Sequence, residues 1–209
     1  MTRKVTDTGA GSGDQRGDGL EVLRGGGSSL ILLRRPDGLP EIVHWGADLG
    51  DLDDDTLAVN MVLAGAPATP QSGLDDAWPL TLLPSETDGW SGRPGITAHR
   101  EGRTTIPRFA NAAITRSEND HDIGGAEVMV HATDERAEIG WSCRLRLDTH
   151  GVLSMQHSVT NTGEEILSVA GLLAIMPLPS TAGEVMDLTG RWCRERHPQR
   201  AALHHGGKI

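Results

Sequence analysis

The densest run of potential metal ligands in the sequence is "DLGDLDDDT", where Asp51, Asp53 and Asp55 stand at alternate positions. In a calcium loop they would be the first, third and fifth ligands, with a glycine at position six and a bidentate glutamate at position twelve. Thr56 and Val62 occupy those two positions. The cluster therefore reads as a solvated helix N-terminus, where carboxylates face the positive end of the helix dipole. Cys193, His197, His204 and His205 carry zinc-type donors without a CxxC or HxxxH frame, and structural zinc sites usually have one. No metal and no cofactor is expected. GxSxG, HExxH, P-loop and GxGxxG patterns are absent, which removes the nucleophilic, zincin and nucleotide-binding readings. Carboxylates are plentiful, but spacing alone singles out no acid/base pair, so no residue is assigned a catalytic role. His157 falls on the apolar face of its segment and reads as a hydrogen-bonded core histidine in preference to a catalytic one.

Three tryptophans flanked by glycine offer different chemistry: Trp45 in "HWG", Trp90 in "DGWSGRPG" and Trp192 in "GRW". An indole held at a turn presents a flat apolar face on which the C–H face of a sugar ring packs, with nearby Asp, Arg and His to bond its hydroxyls. The competing reading is that these indoles cap the ends of the fold. Both remain open at the level of sequence.

The elements that would position these residues are strands. In "RAEIGWSCRLRLD" the positions Ala137, Ile139, Trp141, Cys143, Leu145 and Leu147 are apolar and alternate with polar partners, the period of a strand with one buried face. "VLSMQHSVTNTG" continues the alternation, and "ILSVAGLLAIMPLP" follows after another polar turn, which predicts a three-stranded antiparallel meander. Upstream, "LEVLRGGGSSLILLRR" reads as two apolar segments around a glycine turn, and "EIVHWGADL" as a short strand running into a Trp-Gly turn. A short helix is expected in "DDDTLAVNMVLAGAP", where Leu57, Met61 and Ala64 recur at helical spacing. Residues 78–100 read as loop. The fold class expected is all-β, mainly antiparallel, arranged as a β-sandwich with long decorated loops.

Composition bounds the rest. The chain has 209 residues, a formal net charge of −10, 27 glycines, no tyrosine and one phenylalanine. That acidity disfavours a nucleic-acid partner. No apolar run reaches the length of a membrane span, and the first residues lack the apolar core of a secretory signal, so a cytoplasmic location with two reduced thiols is expected. Residues 1–18 are rich in Gly, Ser, Asp and Thr and read as a disordered tail. Against the acidic whole, "DLTGRWCRERHPQR" (187–200) packs four arginines around an indole. Arginine suits bidentate pairing with carboxylates and stacking on indole, so this stretch reads as an inter-domain or inter-subunit clamp against an acidic surface.

Four blocks in order, "IVHWGADLG", "LDDAWPLTLLPSETDGWSGRPGITAHREGR", "TNTGEEILSVAGLLAIMPLP" and "DLTGRWCRERHPQR", resemble the N-terminal domain of bacterial α-galactosidases of glycoside hydrolase family 36. The resemblance runs from about Gly19 to Arg200. It implies a β-supersandwich of galactose mutarotase-like type, occupying 19–209 and incomplete at its C-terminus, that precedes a (β/α)8 barrel. It further implies hydrolysis of terminal α-galactosyl residues in oligosaccharides by a retaining mechanism whose two carboxylates belong to the barrel. The chain alone would then be inactive, a truncated product or fragment whose partners are the missing barrel, another copy of itself and, in the full-length context, an α-galactosyl oligosaccharide. In tetrameric relatives N-terminal-domain loops reach toward a neighbour's active site, and the loops with Trp45, Asp75 and Trp90 are the matching candidates here. Arg191, Trp192, Arg194 and Glu195 match the family's GRW-x-RER block and are implied to be scaffold or interface. Alternatives are a free-standing carbohydrate-binding module using Trp45 and Trp90, and a non-functional remnant.

Overall fold

The computed structural model describes residues 19–50, 56–57, 60–61, 80–117, 125–178 and 182–203. The tail at 1–18, the aspartates at 51, 53 and 55, Asp75, His204 and His205 lie outside these residues. Among the described residues twelve strands fall into antiparallel sheets: β1 (Leu20–Gly25), β2 (Ser28–Leu33), β3 (Glu41–Ala47), β4 (Ile96–Arg100), β5 (Arg103–Thr105), β6 (Ala112–Arg116), β7 (Gly125–Asp134), β8 (Ile139–Asp148), β9 (Leu153–Asn161), β10 (Ser168–Leu172), β11 (Glu184–Arg191) and β12 (Arg194–Ala202). Residues 56, 57, 60 and 61 are helical and Leu57 is buried, in keeping with the short helix expected there. No helix of the described residues is long and apolar enough to cross a membrane.

β1 and β2 form a hairpin through Gly26 and Gly27, both at positive φ (55° and 74°). Such a turn matches the twist of the flanking strands and favours glycine at both central positions. β2 is the central strand of its sheet and is buried on both faces from Ser29 to Leu32. Its ladder with β3 slips between Ile31 and Leu32, leaving Val43 as the extra residue of a bulge.

The second layer is the meander β6-β7-β8-β9. β8 behaves as its alternation predicts: Ile139, Trp141, Cys143, Leu145 and Leu147 are all buried, and the residues between them face outward. β1 packs across β7 and β8, and one apolar core joins Leu23, Leu30 and Leu32 to Val128, Val130 and the β8 face. Each of these fully buried aliphatic side chains contributes roughly 1.5–3 kcal/mol. The result is an antiparallel sandwich, not a closed barrel.

Three sequence expectations are corrected. β10 does not extend the meander beyond β9; it crosses to pair with β4, in the order β10-β4-β5. The cause is Arg100 at the end of β4. Its buried guanidinium donates to the carbonyls of Glu165 (2.6 Å), Glu138 (2.9 Å) and Ala137 (3.2 Å) and to Asn161 Oδ1 (2.8 Å). These bonds draw the turn after β9 onto the other sheet. The stretch read as loop up to residue 100 ends in strand β4, whose core-facing Ile96 and Ala98 alternate with exposed Thr97 and His99. Trp45 and Gly46 lie within β3, not at a turn, where they pair with Leu30 and Ser29 of β2.

Candidate functional site

The loop from Pro84 to Gly95 is closed on itself. Ser85 caps a single 3-10 turn at Glu86–Asp88, accepting from the Thr87 amide, and Gly89 ends it at a left-handed φ of 85°. The Trp90 amide donates back to the Ser85 carbonyl (3.2 Å) and the Gly95 amide to that of Pro84 (2.8 Å). The half-buried indole of Trp90 folds over Gly92, where a Cβ would meet the ring, and its Nε1 donates to the Arg93 carbonyl (3.0 Å). The "GWSGRPG" signature is thus accounted for locally, since glycine is what allows the ring to lie against its own loop. The loop is anchored to the start of β3 through Ile42–Leu80 and Leu82–Pro40 backbone bonds and a Glu41–Thr81 bridge.

Around Asp88, two residues before Trp90 in the chain, stand charged residues that sequence reading missed. Burial raises the Asp88 carboxyl above its ordinary value, opposed by the Arg35 and Arg108 guanidiniums and reinforced by Asp37. Glu41 is raised in the same way, by burial against the pull of Arg35. These five residues come from the β2–β3 connection, the start of β3, the 3-10 turn and the segment after β5, so no local spacing could announce them.

Trp45 is partly exposed on β3, directly opposite Leu30 on the face that carries the core leucines. It therefore sits at the rim of the sandwich, and no aromatic contact joins it to Trp90 or Trp192 among the described residues. His44 next to it bonds the Ala47 carbonyl through Nε2 (3.0 Å).

His157 is the core histidine expected. Trp141 Nε1 donates to its Nδ1 (3.2 Å) and the two rings stack with centroids 5.7 Å apart; burial holds the imidazole below its ordinary value. Protonating Nδ1 would set two donors against each other. The buried Cys143 thiol, opposite His157 in the ladder, is pushed up to about 12 by burial.

Two further surfaces stand out. His99, Glu101, Gly102, Glu164, Glu165, Ile166 and Ser168 line an open depression of about 440 Å³. Among the described residues no three His, Cys, Asp or Glu side chains converge as a metal site. The other is the hairpin β11–β12, which carries Arg191, Trp192, Arg194 and Glu195 at its tip and, among the described residues, has no extensive packing against any other strand. A Cβ at Gly190 would collide with the backbone of Arg194, and Cys193 and Arg196 adopt positive φ (63° and 61°), so the tip is sharply bent.

Residues 38–209 match the model described as "Glycosyl hydrolase family 36 N-terminal domain". The α-galactosidase of Escherichia coli is 28% identical over 179 residues, covering 85% of this chain and 23% of that protein. Among solved structures, α-galactosidase AgaA from Geobacillus stearothermophilus in complex with raffinose superposes with a TM-score of 0.67 at 20% identity, over 90% of this chain and 28% of that one. The α-galactosidase of Lactobacillus brevis gives 0.67 at 16% identity, over 88% and 27%. The chain spans about a quarter of the length of these proteins.

Proposed function

The chain belongs to the glycosyl hydrolase family 36 N-terminal domain family, and from that premise we propose that it is the sandwich shoulder of an α-galactosidase acting on terminal α-galactosyl residues of oligosaccharides. The observation that carries this reading is the family match over 38–209, on a chain that spans about a quarter of its α-galactosidase relatives. The reaction belongs to a part of the enzyme outside this domain, and the domain's role is to support and orient that part. The work is cytoplasmic. Trp45, Asp75 and Trp90 are the candidates for shaping the sugar pocket, with Arg35, Asp88 and Arg108 joining Trp90. Arg191, Trp192, Arg194 and Glu195 form an interface with another domain or subunit.

The purified chain should release no p-nitrophenol from p-nitrophenyl α-galactoside; measurable turnover overturns the division of labour. A second reading, a sugar-binding module, is favoured by the half-buried Trp90 indole and the charged residues that act on nearby Asp88. Titration with raffinose should then shift the tryptophan emission, and the shift should vanish in Trp90→Ala. A flat titration removes that reading and leaves the first intact.

A further inference from the structure

We infer that the Trp141–His157 pair is an acid-operated latch: a second proton on the imidazole releases β9 from the core and, through Asn161 at the end of β9, loosens the Arg100 tie that holds the β10–β4–β5 sheet.

The pair leaves the neutral imidazole one place for its proton. Trp141 Nε1 donates to His157 Nδ1 at 3.2 Å, so Nδ1 keeps its lone pair and the proton sits on Nε2. Nε2 is buried and meets no acceptor among the described residues. A second proton has only Nδ1 to go to, where the indole N–H already points. The neighbours offer the resulting cation no relief. From β8, Trp141 stacks on the ring, and Cys143 stands opposite it in the ladder, its thiol pushed up to about 12 by burial and therefore neutral. Phe109, from the segment after β5, packs on the indole. Ser142 and Arg144 of β8, and Gln156 and Ser158 of β9, alternate to the opposite face, where Arg144 is engaged by Glu127 at 2.8 Å. Burial alone shifts the imidazole, and no charged group among the described residues acts on it.

β9 is the strand that such a conflict moves. The alternate core-facing residues of β8 are buried, whereas Leu153, Met155, His157 and Val159 of β9 are only half-buried. Segments with less buried apolar area open first. Opening hydrates the ring and separates the two donors, so the open form accepts the proton that the closed form refuses. Asn161 carries the movement onward. Its Oδ1 accepts from Arg100 Nη2 (2.8 Å), and its Nδ2 donates to the Glu165 carbonyl (2.8 Å), which Arg100 Nη1 also reaches (2.6 Å). Glu165 leads into β10, the partner of β4. Withdrawing Asn161 leaves a buried guanidinium short of an acceptor, when its Nε has none already among the described residues. The turn that brings β10 to β4 is then held more weakly.

Hydrogen exchange of the 209-residue chain, followed by NMR and expressed as protection factors, tests this. As pH falls from 6.5 toward the lower value of the folded imidazole, protection in β9 should drop about tenfold per pH unit. Protection in Ile96–Arg100 and Ser168–Leu172 should drop with it, while β1, β2 and β7 keep theirs. In His157→Gln the side-chain oxygen still accepts from Trp141 but takes up no proton, so the drop should disappear. Asn161→Ala should leave the drop in β9 and lower protection in β10 already at pH 7. Protection that stays flat from pH 7 to pH 5, or that falls in every strand together, overturns the latch. So does a drop that survives in His157→Gln, or one in β9 that leaves β10 untouched. If His157→Gln does not fold, the ring nitrogen shifts of the wild type decide. They should place the proton on Nε2 at pH 7 and titrate together with the loss of β9 protection; a proton on Nδ1, or titration without that loss, overturns the proposal.

Discussion

Two tryptophans on antiparallel ribbons of this molecule meet opposite fates. Trp141, in the middle of β8, is 3% exposed, packed against Phe109 and stacked on His157. Trp192, at the tip of the β11–β12 hairpin, is almost wholly in water. Both ribbons are antiparallel ladders, but Trp141 is paired on both sides while Trp192 lies beyond the last pair of a ladder that slips between Thr189 and Arg191. The layer beneath differs as well. β8 lies between β7 and β9 and under β1, and its alternation sorts one face into the core; among the described residues no second layer covers the hairpin, and its alternation sorts nothing. Pairing makes a ribbon, and stability comes from what covers it.

The comparison breaks most sharply at the buried ring. Trp141→Ala should cost about 3–5 kcal/mol, through the cavity it leaves and the loss of the donor to His157, read as a fall in urea midpoint with little change in slope. A loss under about 1 kcal/mol would mean that the meander is not the stability core.

A smaller effect separates the regions by pH. His157 binds its proton less readily folded than unfolded, so the unfolded state takes up more protons as pH falls below 6.5, and stability should drop in that window. Asp148, held below its ordinary value by the Val152 amide and then the His150 amide, costs stability only lower still, as pH falls through 3.8 and beyond. Melting curves between pH 7 and pH 5 should therefore flatten in His157→Gln relative to wild type. An unchanged slope would show that the imidazole does not couple to folding.

The smallest effect belongs to the hairpin. Trp192→Ala should change the stability of the monomer by less than about 0.5 kcal/mol, as surface changes usually do. A drop comparable to that of Trp141→Ala would show that the indole packs on the body of its own chain.

Legibility followed the same division. The β8 face was readable residue by residue, because large apolar side chains alternate without interruption from Ala137 to Leu147. β7 alternates as well, with Val128, Val130 and Ala132 inward, but small alanines at 126 and 132 and a buried Asp134 blur its pattern. Asp134 is inward because its carboxylate accepts from the Arg108, Arg136 and Ala137 amides, a three-way cap that no linear spacing reveals. The partner of β10 was invisible for a related reason, since it is decided by Arg100, more than sixty residues away in sequence. Of the candidate positions, Trp45 and Trp90 are placed on separate elements and Asp75 lies outside the described residues. The GRW-x-RER block was recognised from its residues, but that it forms a two-stranded ribbon with a glycine-dependent bend was not.

The crossing of β10 onto β4 sets the order in which the chain can assemble. The meander joins neighbours in sequence and can zip as soon as its turns form, whereas Ile96–Arg100 must wait for Ser168–Leu172 before its sheet is complete. Loop closure over that span is slow compared with hairpin formation. During synthesis β4 and β5 therefore emerge with one edge open for roughly the time needed to make seventy residues, and that interval is when the nascent domain is most exposed to mispairing.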